Sequence, residues 1–394
     1  MIKEVRYKNN HIKRFHEHPK NVSLLGSSSF FNDIGSEMIT PLLPFYITSL
    51  GGGGVAIGLL SGLREGLASI WKILGGWFSD LTGKRKIYIF IGYLVSTLFR
   101  FMLLLANSWQ HIALFVSLER FGKARDPPRD AIISDSVKKT GRAFGFLQMM
   151  DTAGGVIGTF IILFLFWKFN PDLKTIILFA SIIGALAILP IFFVYEPTTK
   201  KTKKSLFVGI KSLNKDLKYF IFVTTIFTLS NFGLYLFLIL RAQELFGNFF
   251  IPILMYLFFS ISYALFAVPF GNFSDKVGRK KVLFFGYSLF LLLVLGFIYV
   301  SNVVLFAVLF SLYGVVYAMT KPVQNAFISD LTNKTKGTAF GFYHFLTGIV
   351  TIPAGIIAGF LWDISYNIMF LYLAFVSLIA IVLLIFVKEN KTFG

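Results

Sequence analysis

The chain has 394 residues, of which 56% are hydrophobic, 18% aromatic and 14% charged, and its mean hydropathy is +0.73. A soluble domain of this length cannot bury so much apolar surface, so the composition predicts an integral membrane protein whose main partner is the lipid bilayer. The net charge of +19 could suggest nucleic-acid binding, but the basic residues lie between apolar stretches, which argues against a nucleic-acid partner. With no cysteine, no disulfide can form.

Twelve stretches are apolar enough to cross a bilayer as helices, each of which needs roughly 20 residues. The first is the weakest because it carries Asn32, Asp33 and Glu37. The predicted spans are 22–48, 54–79, 87–106, 108–136, 142–167, 174–195, 218–242, 248–272, 280–300, 302–322, 338–362 and 367–388. The sequence therefore predicts an all-α integral membrane protein with twelve transmembrane helices.

Lysine and arginine are distributed unequally between the two sides of the membrane. The tail, linker and loops on the side of the N-terminus hold 27 of them, whereas the opposite loops hold only Lys168, Lys174 and Arg241. Basic loops remain in the cytoplasm. The sequence thus predicts a multi-pass protein of the cell membrane with cytoplasmic N- and C-termini.

One long polar connection divides the chain into two halves. The predicted organisation is a basic cytoplasmic tail at 1–21, a six-helix bundle at 22–195, a basic cytoplasmic linker at 196–217, a second six-helix bundle at 218–388 and a cytoplasmic C-terminus at 389–394. Within the linker region, Leu206, Ile210 and Leu213 recur at helical spacing, which fits either a short helix on the membrane surface or a solvated loop.

The two halves repeat each other at an offset of 195 residues. GWFSDLTGKRK at 76–86 matches GNFSDKVGRKK at 271–281, and AFGF at 143–146 recurs at 339–342, one residue further on. At the common offset, Ala131, Ile133, Ser134 and Asp135 recur as Ala326, Ile328, Ser329 and Asp330. The chain is therefore predicted to fold as two pseudo-symmetric bundles in parallel, related by an axis along the membrane normal.

The repeated segment, with its Gly, Asp, Gly and basic residues at fixed spacing, resembles the signature loop of the major facilitator superfamily. Leu118–Ala124, which contains Arg120, resembles the superfamily's fourth-span motif, and TAGGVIG at 152–158 loosely resembles the glycine motif of its drug–proton antiporter branch. Thr159 follows, where that branch has Gly-Pro. The resemblance implies a twelve-span transporter that alternates access, and it leaves the substrate open.

In that superfamily the signature loop holds the cytoplasmic ends together and releases them during transport, which implies a gate. Asp80 can face a helix N-terminus or an arginine, Gly83 allows a positive φ, and the basic residues keep the loop inside. The alternative is a loop that only sets topology. The predicted cytoplasmic gate comprises Gly76, Asp80, Gly83, Lys84, Arg85, Arg129, Asp135, Arg142, Gly271, Asp275, Gly278, Arg279 and Asp330.

The fourth span is unusually charged. It is predicted to be a long helix at about 111–135 with a bend at the Pro-Pro pair 127–128. Glu119 can pair with Lys123 four residues later, and Glu119 and Arg120 fall near mid-membrane. A charge in lipid costs at least about 2.5 kcal/mol, so this pair is expected to face a cavity or a partner.

Further charged residues on the first, second and fifth spans could meet this pair. Carboxylates held close together disfavour each other's ionisation, so protons are the expected coupling ion, with an arginine as the switch. The alternative is a static ion network that only packs the first half. The predicted coupling and substrate cavity comprises Asp33, Glu37, Arg64, Glu65, Glu119, Arg120, Asp151 and Asn231.

The predicted function is proton-coupled export of a small amphipathic organic compound by a secondary transporter. The second half is poor in deep charge and rich in Tyr and Phe, which suits such a substrate. Uptake of a polar or anionic metabolite, lipid translocation and a non-transporting sensor are the alternatives. No nucleotide-binding loop or enzyme site is recognisable, so we expect no enzyme activity, no cofactor and no bound metal. We also expect the protein to be a monomer.

Overall fold

A computed structural model describes residues 18–137, 140–196, 213–332 and 336–389, and these are helical with no strand. The basic tail at 1–17, most of the linker with its candidate surface helix at 197–212, and the end of the chain at 390–394 lie outside the described residues. We call the membrane side that holds His18 and Glu389 the terminal side, and the opposite side the far side.

The first half contains six spans. The first and fourth are interrupted by a short 3-10 segment, and the third and sixth end in one. The first span is Lys20–Ile39, Thr40–Leu42 and Leu43–Ser49; the second is Gly54–Thr82; the third is Arg85–Met102 with Leu103–Leu105; the fourth is Trp109–Glu119, Arg120–Arg125 and Asp126–Ser136; the fifth is Thr140–Phe169; the sixth is Leu173–Ala185 with Leu186–Phe193. Each span begins on the side where the preceding one ended.

The second half repeats this arrangement with longer unbroken helices. The seventh span is Lys215–Ser230 followed by Tyr235–Phe246; the eighth is Phe250–Val277; the ninth is Arg279–Tyr299; the tenth is Val303–Asp330; the eleventh is Lys336–Ile364; the twelfth is Tyr366–Ile385. The twelve predicted spans and the all-α fold in two six-helix bundles are confirmed, with ends displaced by a few residues.

Nine helices in the described ranges are long and apolar enough to cross a membrane by length and composition alone. The remaining three spans are the first, the second and the fourth, and they carry most of the charged residues that were predicted to form a site. These three spans have a lower hydropathy because they face one another and the second half across a polar interior.

The fourth span differs from the prediction of one helix bent at its two prolines. It changes to 3-10 geometry at Arg120–Arg125, and the prolines lie in the first turn of the next α-helix. A proline there costs no hydrogen bond, because first-turn N–H groups have no partner within the helix. The irregular segment packs on the third span, where a Cβ on Gly122 would collide with the Gly92 carbonyl oxygen.

The seventh span is also broken, which the apolar pattern did not predict. Its first helix ends at Ser230, and the second begins at Tyr235 after Gly233 with φ of 107°. At the break, the Tyr313 hydroxyl donates to Asn231 Oδ1 at 2.6 Å, and Ser61 donates to the Gly233 carbonyl at 3.0 Å. The freed Gly233 carbonyl is thus satisfied by the second span, and the Asn231 side chain by the tenth.

The two halves meet closely on the far side. The second span packs along the eleventh, and a Cβ on Gly58 would collide with the Gly355 carbonyl oxygen. The Asp363 carboxylate crosses between the halves to accept from the backbone N–H groups of Gly54 at 2.6 Å and Val55 at 3.0 Å. Small residues allow this approach, as membrane helix pairs commonly require.

On the terminal side, the second, fifth, eighth and eleventh spans do not meet across the halves at their glycines. A Cβ built on Gly145, Gly271 or Gly341 meets no atom within 4 Å, and one on Gly76 meets only Pro127 of its own half. The space between the halves is therefore closed on the far side and opens toward the terminal side.

Candidate functional site

A cavity of about 390 Å³ lies between the two halves. In the first half its wall is formed by the first, second, fourth and fifth spans, and in the second half by the seventh, eighth and tenth spans. The charged residues on its wall are Asp33, Glu37, Arg64, Glu65, Lys72, Arg120, Lys123 and Asp151, all from the first half. Six of them were predicted for the cavity from the sequence, and Lys72 and Lys123 complete the group.

Three carboxylates, which we call the acidic edge, lie on the first and fifth spans: Asp33, Glu37 and Asp151. These spans pack tightly because Gly154 and Gly158 of the TAGGVIG segment lie against backbone oxygens of the first span. Asp33 Oδ1 accepts from Asn32 Nδ2 at 2.9 Å, and Asp151 lies 4.0 Å from Arg129 Nη1. The acidic edge is thus held mainly by neutral donors.

Four cations, which we call the basic edge, lie on the second and fourth spans: Arg64, Lys72, Arg120 and Lys123. Lys72 and Lys123 both approach Asp126 Oδ2, at 3.3 and 3.9 Å, so one carboxylate serves two cations. Arg64 Nη2 donates to Thr40 Oγ1 at 2.5 Å.

Exposure along the basic edge indicates how solvent reaches the cavity. The Lys72 side chain is 45% exposed, that of Lys123 27% and that of Arg120 9%. Eight residues of helix separate Arg64 from Lys72, or about 12 Å toward the terminal side. Exposure falls with distance from the terminal side, as expected for a cavity that opens there.

Glu119 does not lie on the main cavity wall, and its predicted pairing with Lys123 is wrong. Its Oε2 lies 2.6 Å from Arg120 Nε, and its Oε1 lies 3.5 Å from Arg100 Nη2. Because the span leaves α-helical geometry directly after Glu119, the spacing that would bring Lys123 over it is lost. Glu119 instead borders a second, water-sized cavity of about 20 Å³ with Arg64, Arg100 and Arg120.

Arg100 is a buried cation that sequence reasoning missed. Its side chain is 2% exposed and also donates to Asn32 Oδ1 at 3.2 Å. A Cβ on Gly35 or Gly184 would collide with its guanidinium, so the first and sixth spans leave room for it only because both residues are glycine. The third span looked uniformly apolar apart from this residue at its far end, and that isolated arginine was the available signal.

The wall from the second half is aromatic. Tyr235, Tyr256, Phe259, Tyr263 and Tyr317 line it, with rings in contact along the eighth and tenth spans. Asn231, which was predicted for the cavity, is 6% exposed and lies behind this wall against Tyr313. The aromatic character predicted for the second half is therefore observed, and its polar contribution comes from tyrosine hydroxyls.

Two contacts join the charged wall to the aromatic wall. The Tyr256 hydroxyl donates to Glu37 Oε2 at 2.7 Å, so the first span is bonded to the eighth. Glu65 lies apart from the acidic edge, because it belongs to the second span and its Cγ lies beside Gly233 at the break in the seventh. Both carboxylates thus sit at the boundary between the halves.

The repeated loops on the terminal side form two matching clusters, each within one half. Arg85 Nη1 contacts Asp135 Oδ2 at 2.5 Å and Arg85 Nη2 lies 4.0 Å from Asp80. In the other copy Arg279 contacts Asp275, and its Nε lies 3.1 Å from Asp330 Oδ2.

Other residues of the predicted gate take different places. Gly83 and Gly278 end the second and eighth spans with φ of 70° and 105°, as their glycine identity predicts. Lys84 precedes the third span, and Arg279, which occupies its position at the offset of 195, instead makes the aspartate contacts that Arg85 makes in the first loop. Arg142 is exposed. Arg129 is not part of the loop cluster, since it is 8% exposed and donates to Ser29 Oγ at 2.8 Å.

A repeated carboxylate completes each cluster and was not predicted. Glu196 accepts from the backbone N–H groups of Arg85 and Lys86 at the start of the third span. Glu389 accepts from those of Arg279, at 2.5 Å, and Lys280 at the start of the ninth. A glutamate directly after each six-helix bundle therefore caps the third span of that bundle, at a helix N-terminus where the helix dipole favours a negative charge.

Comparisons with known proteins agree with this architecture. Residues 25–248 and 220–392 match the Major Facilitator Superfamily. An uncharacterised MFS-type transporter of Methanocaldococcus jannaschii is 45% identical, over 96% of this chain and 97% of its own length. Multidrug resistance protein MdtG of Proteus mirabilis is 25% identical, over 86% of this chain and 89% of its own.

Among solved structures, a mutant form of nucleoside transporter NupG superposes with a TM-score of 0.80 at 16% identity, over 94% of this chain and all of its own. That likeness supports the fold alone. The family match over both halves and the identity to the archaeal relative extend further, since they cover nearly the whole chain. The chain belongs to the Major Facilitator Superfamily and is a membrane transporter, not an enzyme.

Proposed function

We propose that this protein is a secondary active transporter that exports small amphipathic organic compounds by alternating access, with protons as the coupling ion. The observation that carries the proposal is the cavity between the halves, in which a charged wall faces an aromatic wall. Such a cavity can hold a polar group and an apolar ring of one molecule at the same time. The relative MdtG is named a multidrug resistance protein, which supports export as the direction.

In this proposal the terminal side is the cytoplasm and the membrane is the cell membrane. The 27 to 3 distribution of lysine and arginine supports that orientation. The conformation described above is then open to the cytoplasm, where an exported compound would enter. The basic tail at 1–21 and the linker at 196–217 would lie on the cytoplasmic surface, each half would move as one bundle, and the protein would act as a monomer.

Proton coupling is assigned to the carboxylates at the cavity. Asp33, Glu37, Glu65 and Asp151 line it and have no lysine or arginine nitrogen closer than 4.0 Å among the described residues. A proton can therefore bind there without first breaking a close ion pair. Arg120 is the proposed switch, because its contact with a carboxylate favours the ionised form and its departure favours protonation. Glu119 is proposed to support Arg120, whose Nε lies 2.6 Å from its Oε2.

The terminal-side clusters are proposed to act as the gate. Each cluster ties the loop of its own half to the fourth or tenth span. They can therefore stiffen each half while the cavity is open and contact the other half when it closes. Asp80 is the member available for such a contact, since its side chain is 57% exposed and 4.0 Å from Arg85.

Transport assays in proteoliposomes test the proposal. Purified full-length protein is reconstituted into liposomes that contain pyranine as a pH reporter. Four compounds are added with and without a pH gradient: 2-(aminomethyl)naphthalene, 2-naphthoic acid, 2-naphthylmethanol and 6-(aminomethyl)-2-naphthoic acid. Protein-free liposomes correct for passive movement. We expect proton movement driven by at least one compound, and its loss in at least one of Asp33→Asn, Glu37→Gln, Glu65→Gln and Arg120→Ala with compound exchange retained.

The outcomes separate the alternatives. Movement of a fluorescent phospholipid without compound flux would identify a lipid translocase. Flux of the anion alone toward the inside would indicate uptake of an anionic metabolite. Absence of flux for compounds that bind would indicate a sensor. Each of these results would overturn the proposed export.

A further inference from the structure

We infer that the preferred substrate of this cavity is an aromatic zwitterion, with its ammonium group at the acidic edge and its anionic group at the basic edge; this inference deepens the proposed function and rests on it. The two edges are defined by which spans carry each sign of charge. Asp33, Glu37 and Asp151 come from the first and fifth spans, whereas all four cavity cations come from the second and fourth.

The separation of charge follows from how the spans pack. The first span lies against the fifth, and the second span lies against the 3-10 segment of the fourth. Each pair of neighbours therefore presents one sign of charge to the cavity, and the two pairs stand side by side in the first half. Glu65 is the exception on the second span, and its Cγ lies beside Gly233 of the seventh span, away from the basic edge.

Ion pairs within the protein do not neutralise all the charges of the two edges. On the basic side, Lys72 and Lys123 share the Asp126 carboxylate, and Arg100 and Arg120 share that of Glu119. Arg64, 6% exposed, has no carboxylate oxygen within 4.0 Å in the described ranges, and its close partner is the neutral Thr40 hydroxyl. The basic side thus carries more positive charge than the local carboxylates neutralise.

The acidic side has the opposite excess. Glu37 is held by the Tyr256 hydroxyl and Asp33 by the Asn32 amide, both of which are uncharged. Among the described residues, the nearest cation to Asp151 is Arg129, at 4.0 Å, and Arg129 already contacts Asp130 at 3.0 Å. A ligand ammonium group placed here would meet unpaired carboxylates in a poorly solvated site, where charge pairing is stronger than in water.

The size of the cavity and the spacing of the spans limit the ligand. Neighbouring helices lie about 8–10 Å apart, so the two charges of a ligand that spans both edges should be separated by a similar distance. The volume of about 390 Å³ accommodates a compact molecule with one or two rings. The tyrosine and phenylalanine wall then covers the body of the molecule between its charged ends.

Equilibrium binding to the purified full-length protein tests the inference with four naphthalene probes at neutral pH. The probe 6-(aminomethyl)-2-naphthoic acid carries opposite charges at the two ends of the rings, 2-(aminomethyl)naphthalene carries only the ammonium, 2-naphthoic acid only the carboxylate, and 2-naphthylmethanol neither. Calorimetry should give a dissociation constant for the zwitterion that is lower by about tenfold than that of either singly charged probe.

Substitutions at the two edges should have different effects. Asp33→Asn and Asp151→Asn should weaken binding of the zwitterion and of the cation and leave the anion unchanged. Lys72→Gln and Lys123→Gln should weaken the zwitterion and the anion and leave the cation unchanged. The matched controls are Glu244→Gln and Lys174→Gln, at exposed far-side positions, which should change none of the four constants.

The binding and transport assays can fail independently of each other. Equal affinity for the zwitterion and either singly charged probe, or a parallel loss of all probes on substitution at one edge, would overturn the inference while leaving export intact. Tight, edge-dependent binding of the zwitterion without flux in the proteoliposome assay would instead overturn the proposed transport and retain the assigned ligand class.

Discussion

Glu37 on the first span and Tyr256 on the eighth are joined by a hydrogen bond of 2.7 Å from the tyrosine hydroxyl to Oε2. The bond crosses between the halves inside the cavity. In the proposed alternating-access cycle, opening the far side would separate the first span from the eighth, so we expect the bond to persist only while that side is closed. The residue proposed to bind a proton is thus also a direct contact between the two moving bodies.

Tyr256→Phe should shift the protein away from the described conformation. A hydrogen bond to a charged acceptor contributes about 1.5–3 kcal/mol, so the relative population of the closed far side should fall by roughly ten- to a hundredfold. The measurement is the distance between spin labels at Thr82→Cys and Lys276→Cys, on the terminal ends of the second and eighth spans. Because the native chain has no cysteine, only these two positions carry a label. Shorter distances are expected.

The matched control is Tyr263→Phe, which removes a hydroxyl from the same cavity wall and the same span. If Tyr256→Phe and Tyr263→Phe give the same distance distribution as the native protein, the bond to Glu37 does not influence the conformational equilibrium.

Gly58→Ala should prevent the far side from closing. The added Cβ would lie 2.8 Å from the Gly355 carbonyl carbon and still nearer its oxygen, and both are backbone atoms that cannot rotate away. The same label pair should report a terminal side that is mostly closed, and the transport rate should fall severely. Gly145→Ala is the control, because its Cβ meets no atom within 4 Å. Normal transport by Gly58→Ala would show that this glycine contact is dispensable.

Asp363→Ala should loosen the far side to a smaller degree. The change removes the acceptor of the Gly54 and Val55 N–H groups, and loss of a helix cap costs about 1 kcal/mol. A cysteine at Ala56, which is 3% exposed and directly follows the capped N–H groups, should react faster with a membrane-impermeant maleimide. Asp172→Ala serves for comparison, since Asp172 caps its own helix through the Thr175 N–H at 3.2 Å and joins no halves. Equal acceleration in both variants would mean that general destabilisation, and not the cross-half cap, is responsible.

Arg100→Met should destabilise the first half. The change removes the hydrogen bond to Asn32 Oδ1 and empties part of the space beside Gly35 and Gly184, while Glu119 keeps its contact with Arg120, so the expected loss is about 1–3 kcal/mol. The thermal unfolding midpoint in detergent should drop, whereas Arg142→Gln at an exposed position should leave it unchanged. The double variant Arg100→Met with Glu119→Gln leaves Arg120 buried without its carboxylate, so its loss of stability should exceed that of Arg100→Met alone and differ from the sum of the two single losses. Additive effects of the two substitutions would rule out an energetic link between Arg100 and Glu119.

The sequence by itself determined the number of spans, the division into two repeated halves and the superfamily to which the chain belongs. Each of these depends on local patterns: apolar runs of bilayer length, a motif repeated at a constant offset, and lysine and arginine on one side. It also identified most of the cavity, because Asp33, Glu37, Arg64, Glu65, Arg120 and Asp151 are charges within spans that otherwise face lipid or protein.

Only the tertiary structure decided which way each polar side chain points and what it meets. Glu119 and Arg120 are adjacent in the chain, yet only Arg120 lines the main cavity, because adjacent residues of a helix point in different directions and packing decides which of them faces the cavity. Arg100 and Glu119 are 19 residues apart, and Glu37 and Tyr256 are 219 apart. The rotation of a helix about its axis is set by packing against distant partners, so no local pattern encodes these pairs, the closed far side or the division of the cavity into acidic and basic edges.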